Sequence, residues 1–74
     1  MTLDEIRPGE QCRIKGIMAT GILGQRLLDM GFIPGVQIEV IRNAPLIDPV
    51  EISLGEYQVS IRHDEARYVE VEPL

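Results

Sequence analysis

The sequence predicts a mainly β fold in which five short strands curl into a small barrel, with one α-helix inserted at about residues 21–30. Three observations carry this reading. Five segments alternate apolar and polar side chains with period two, one segment repeats its apolar residues at helical spacing, and turn pairs punctuate the joins. Strands this short, joined mostly as antiparallel hairpins, leave no room for a doubly wound parallel sheet, and closure is the economical way to protect the edges.

Leu3 and Ile6 precede the turn pair Pro8-Gly9. QCRIKGIM then reads as the first strand, with Cys12 and Ile14 on one side, Arg13 and Lys15 on the other, and a bend at Gly16. Thr20 is placed as the N-cap of GILGQRLLDM, where Leu23, Leu27 and Met30 stand at i, i+4 and i+7 and form one helical stripe. Gly31 sits where a left-handed C-terminal cap belongs, and Phe32 and Ile33 fold back over the helix end before Pro34-Gly35 turns the chain. VQIEVIR alternates through Val36, Ile38 and Val40; NAPLIDP, with two prolines, is expected as a loop; VEISL alternates again at Val50, Ile52 and Leu54. After the turn Gly55-Glu56, YQVSIR carries the pattern through Tyr57, Val59 and Ile61. HDEA makes a brief turn or a single helical turn, and YVEV returns with Val69 and Val71 inward. An SH3-like barrel accommodates these elements in this order.

Residues 1–74 are expected to form a single domain, because a chain of this length buries only about 60% of the surface its unfolded form exposes. Cys12 is the only cysteine, so neither an intramolecular disulfide nor a thiolate metal cage holds the fold. No stretch approaches the roughly 20 apolar residues of a membrane span, and MTLDEIRPGEQ has acids where a signal peptide needs positive charge. The expected location is the cytoplasm, with no direct membrane insertion. A net charge of −5 repels phosphate backbones and anionic membranes alike, so nucleic acid is not expected as a partner.

Few residues invite chemistry. Cys12 in a strand and His63 in a distant turn are the only nucleophile and base of interest, and a lone cysteine on an apolar strand face reads as a small buried hydrophobe, so no catalytic residue and no cofactor is assigned. His63, Asp64 and Glu65 offer three metal donors in a row, although a hydrophilic turn accounts for the same run. Gly21-Ile22-Leu23-Gly24 matches a GxxG pattern without the basic surround of an RNA-binding loop, and Gly24 is better explained by close backbone approach to the helix. No tryptophan lines a proline-peptide groove. The helix leaves two apolar side chains over: Leu28 lies off the stripe, and Ile22 falls among Gln25, Arg26 and Asp29. Either the loop with Leu46 and Ile47 covers them, or Ile22, Arg26 and Leu28 form a partner-binding patch.

Two long runs, GILGQRLLDMGFIPGVQIEVI and APLIDPVEISLGEYQVSIRHDEARYVEV, resemble the FeoA family, small cytosolic proteins of bacterial ferrous iron uptake. The RL-x-x-MG-x-x-PG core, here Arg26, Leu27, Met30, Gly31, Pro34 and Gly35, carries the likeness, supported by Asp48, Pro49, Arg62, Glu65 and Ala66. The resemblance implies an SH3-like barrel with an inserted helix. It also implies a non-enzymatic accessory role beside FeoB, a ferrous iron transporter with a cytosolic GTP-binding domain. Docking on that domain or on the membrane portion would bring the chain to the inner face of the plasma membrane. Leu27, Met30 and Phe32 are then expected to fill the open side of the barrel, with Gly31, Pro34 and Gly35 serving backbone geometry. Three alternatives stay open beside docking. One is a metal-responsive sensor that binds a transition metal ion. A second is kinship with the similar barrel that ends metal-dependent repressors, whose winged-helix domain is not expected so close to Met1. The third is a GTPase-activating partner using Arg26 or Arg62. Weak self-association is a further expectation.

Overall fold

Alternation becomes sheet. In the computed structural model, which describes residues 1–74, β1 (Gln11–Ile17), β2 (Gln37–Ala44), β3 (Ile47–Leu54), β4 (Tyr57–Ile61) and β5 (Val69–Pro73) form one five-stranded sheet in the order β4-β3-β2-β1-β5. Every pairing is antiparallel. A 3-10 turn over Leu3–Glu5 precedes β1, α1 (Gly21–Asp29) is inserted between β1 and β2, and the four-residue α2 (His63–Ala66) joins β4 to β5. β4 and β5 follow each other in the chain yet stand at opposite ends of the sheet order, so α2 carries the chain from one edge to the other, a link that a curled sheet makes short.

The inward set is the one that period two selects. Cys12, Ile14, Ile38, Val40, Val50, Ile52, Leu54, Ile61, Val69 and Val71 are buried, and Leu3, Ile6, Leu27, Phe32 and Ala66 complete a cluster of 15 residues. Each large member contributes about 1.5–3 kcal/mol through its burial. Leu27 and Phe32 fill the space beneath α1, whereas Leu23 and Met30 are only half-buried at its margin, so Met30 lines the filling rather than supplying it. Tyr57, expected inward with Val59 and Ile61, is exposed, because it stands at the strand end beside the Gly55-Glu56 turn.

The end of α1 is as its glycine dictates. Gly31 takes φ +105°, its N–H donates to Leu28 O at 3.0 Å, and the Phe32 N–H donates to Leu27 O at 3.2 Å. That is the Schellman pattern, and it lays Phe32 back over Leu27, both fully buried. Met30 is the cap residue, so the helix stops one residue short of the expected 21–30. At the other end Thr20 occupies the N-cap position with extended backbone but its side chain makes no capping hydrogen bond.

NAPLIDP is not a loop. β2 continues through Asn43 and Ala44, β3 begins at Ile47, and Ala44 pairs with Ile47 across a two-residue turn of Pro45 and Leu46. Two prolines suppress a strand reading because each lacks an N–H donor, yet here Pro45 sits in the turn and Pro49 falls where the β2–β3 register slips, so neither breaks a ladder bond. The Asp48–Pro49 peptide is cis.

Candidate functional site

α1 is pressed against the chain that leads into it. A Cβ on Gly24 would stand 2.5 Å from the Ala19 carbonyl oxygen, so only glycine permits this approach. With the helix held by Gly24 and Leu27, its outer face presents Ile22, which is 88% exposed, and Leu28, which is 40% exposed. The β2–β3 turn does not cover them, since Leu46 and Ile47 are themselves exposed. At 3.6 residues per turn Ile22 and Leu28 stand about 120° apart around the axis, so they border the outer face rather than form one stripe.

Arg26 has a partner within the chain. Its Nη2 lies 2.5 Å from Glu65 Oε2, and the Glu65 side chain is only 11% exposed. The other carboxylate oxygen of Glu65 accepts the backbone N–H of Arg62 at 3.0 Å, capping α2. Arg26 therefore ties α1 to α2 while remaining largely open to solvent.

α2 is tied on its other side to the base of the β2–β3 hairpin. Asp48 Oδ1 accepts the backbone N–H of His63 at 2.8 Å and lies 2.7 Å from His63 Nδ1; His63 Nε2 lies 2.7 Å from Asn43 Oδ1. The Asn43 amide nitrogen donates to the Asp4 and Ile6 carbonyls at 2.9 and 2.8 Å, which fixes its oxygen toward the histidine. Arg62 Nη2 stands 3.5 Å from Asp48 Oδ2. The backbone N–H of His63, then its ring, hold the Asp48 carboxyl below the usual carboxylate range, with Arg62 adding to the effect.

These bonds decide the arrangement of the donor run. Both His63 ring nitrogens are engaged, Glu65 is turned to Arg26 and the Arg62 amide, and Asp64 is exposed, so the three do not converge as a ligand set. Nowhere do three His, Cys, Asp or Glu side chains gather to hold a metal ion. Cys12 is buried in β1, and burial, with Glu10 nearby, pushes its thiol up to about 11. That is the opposite of what a nucleophile needs. Pro34 and Gly35 form the exposed corner before β2, where the Gly35 N–H donates to Ile14 O at 2.7 Å.

Two surface features escaped the sequence reading. An open groove of about 570 Å³ runs between the end of α1 and the β3–β4 turn, lined by Met30, Val36, Leu54, Tyr57 and Val59. The β2–β3 turn projects Leu46 fully into solvent. The signal for the second was present, since a proline followed by one residue and a new alternating run marks a tight turn.

The FeoA domain family matches residues 1–73. A relative from Porphyromonas gingivalis, described as a fusion of Fe(2+) transport protein A with the Fe(2+) transporter FeoB, is 40% identical over 72 residues; these are 97% of this chain and 8% of the relative. The chain thus spans a small part of that relative's length. The solution structure of an iron(II) transport protein A from Clostridium thermocellum superposes with a TM-score of 0.91 at 39% identity, covering 100% of this chain and 46% of that one. A crystal structure described as iron uptake regulatory protein (FeoA) superposes with a TM-score of 0.93 at 31% identity, over 100% and 97% of the two chains. In fold alone, the chain is also like a zinc-complexed Stenotrophomonas maltophilia FeoA described as an SH3 domain protein (TM-score 0.86, 24% identity, 97% and 89% of the two chains). A part of a manganese-dependent transcriptional repressor shares that likeness (TM-score 0.89, 15% identity, 100% of this chain and 41% of the repressor).

Proposed function

The chain belongs to the FeoA family, and from that premise we propose that it is a non-enzymatic accessory protein of ferrous iron uptake that docks on the cytosolic part of a FeoB-type transporter. The observation that carries this reading is the Porphyromonas relative, in which a segment 40% identical to this chain is fused to FeoB. Two modules fused in one polypeptide are held side by side at high effective concentration, and docking would give this chain the same neighbour. Docking would hold the protein at the inner face of the membrane; no helix of the chain is long and apolar enough to cross one.

The outer face of α1 is the docking surface in this reading, with Ile22 and Leu28 as apolar contacts and Arg26 at the rim. The role is one of shape and contact. Arg26 and Arg62 are ion-paired within the chain, to Glu65 and Asp48, and both side chains stay mostly exposed. Leu28→Ala tests the reading. It removes a side chain already 40% exposed, so folding should persist while affinity for the transporter falls about tenfold, the loss of a modest hot spot. NMR titration of the labelled protein with the cytosolic GTP-binding domain, with GDP and then a GTP analogue, locates the contact. Unchanged affinity of Leu28→Ala and of Ile22→Ala would refute the α1 surface. Arg26 substitutions are less informative, because they also break the tie to Glu65.

A further inference from the structure

The turn between β2 and β3 holds an apolar side chain where the fold gains nothing from it. Leu46 is fully exposed, and Ile47 beside it is 62% exposed. Leu46 is also the single non-glycine residue with positive φ, at +65°. With Pro45 before it, the turn has the sign pattern of type II, whose third position favours glycine or asparagine because a Cβ there crowds the backbone. A residue selected for folding would relieve that crowding and avoid exposing apolar surface. Leucine does neither.

The base of the turn is rigid. Asn43, two residues before Pro45, donates to the Asp4 and Ile6 carbonyls, and Asp48, two residues after Leu46, is bonded to His63 and Arg62. An apolar tip on a fixed base loses little conformational freedom when it is bound. The charges around it are matched within the chain: Arg42 pairs with Glu51 at 3.3 Å and Asp48 with Arg62 at 3.5 Å. What Ala44, Pro45, Leu46 and Ile47 present is therefore an uncharged knob, and the complementary surface is a neutral apolar cleft. An anionic lipid surface and a second copy of this chain are both opposed by the net charge of −5. α2 connects the knob to the face already described, since it is bonded to Asp48 at the hairpin base and to Arg26 on α1.

We propose that the Pro45-Leu46-Ile47 tip is a second docking element, a knob that inserts into an apolar cleft on the cytosolic side of the transporter. This rests on the docking reading above and extends it to a surface that reading does not use. The test is binding of Leu46→Asn and Leu46→Gly to the cognate full-length FeoB-type transporter in lipid nanodiscs, with empty nanodiscs and the protein alone measured in parallel. Both substitutions suit positive φ, so thermal midpoints should hold or rise while affinity falls at least about tenfold; Leu46→Met should retain binding. Affinity within about twofold of wild type for both variants, while Leu28→Ala still weakens it, would overturn the knob and leave the α1 surface standing. Absence of wild-type binding to the transporter would overturn both. Leu46-dependent binding to empty nanodiscs, or Leu46-dependent self-association, would overturn it in favour of lipid or of a second copy.

Discussion

Gly24→Ala isolates the contact that seats α1. Two effects oppose each other. Alanine is favoured over glycine inside a helix by about 1 kcal/mol. Against this, the new Cβ would lie 2.5 Å from the Ala19 carbonyl oxygen and 3.1 Å from its carbon, both backbone atoms that no rotamer change can move aside. Relief requires α1 to lift or the segment before it to shift by most of an ångström, and overpacking of this kind costs about 1–3 kcal/mol. Because the new Cβ meets immovable backbone, the upper end applies, and the net loss is about 2 kcal/mol. For a domain of this size that lowers the thermal midpoint by about 8–16 °C. Ile22→Ala on the same helix serves as the control, since Ile22 is 88% exposed and its loss should stay within about 0.5 kcal/mol. Calorimetry on the three proteins decides the matter. A Gly24→Ala midpoint equal to or above wild type would mean that propensity outweighs the contact and that α1 is not seated by it.

Cys12, buried and with its thiol pushed up to about 11, should fail to react with a thiol reagent at about pH 8 until denaturant unfolds the chain; rapid native labelling would contradict the packing of β1. Asp48 is the titrating group at the hairpin base. Its folded carboxyl is held low by the His63 backbone N–H, then by the ring, so the stability it contributes is present above the ordinary carboxylate value and lost as the pH falls through the lowered one. Asp48→Asn should accordingly melt lower than wild type near neutrality, and the gap should close below about pH 4. A gap constant across that range would show that the carboxylate charge plays no part.

Legibility followed the range of the interactions. Period two needs only neighbouring residues, so Cys12 and Ile14, Ile38 and Val40, Val50 and Ile52, and Val69 and Val71 are read correctly as inward. The Schellman end of α1 is equally local, because Gly31 alone announces it. The β2–β3 hairpin is obscured by its prolines, whose missing donors matter only if the ladder needs them, and the register slip at Pro49 is a tertiary fact. Parity placed Tyr57 inward, but parity cannot say where a sheet ends, and Tyr57 lies at its margin. For the candidate site, helical angle correctly turns Ile22, Arg26 and Leu28 outward. The Arg26–Glu65 pair joins α1 to α2 across more than half the chain, and no local pattern foretells it.

HDEA shows how a short polar run acquires a different meaning in three dimensions. A four-residue helix has too few internal bonds to persist alone, so α2 depends on the groups around it. Glu65 is held by Arg26 of α1, His63 by Asp48 of β3 and Asn43 of β2, and Asn43 in turn by the turn that precedes β1. Every donor that made the run resemble a metal site, apart from exposed Asp64, is a tie between elements. A cation taken up at His63 would have to displace Asp48 or Asn43, and one taken up at Glu65 would have to displace Arg26. Either would loosen the hairpin that carries Leu46 or the helix that carries Ile22 and Leu28. The same four residues that carry the chain between the two edges of the sheet thus set the placement of the Leu46 turn relative to the α1 face with Ile22 and Leu28.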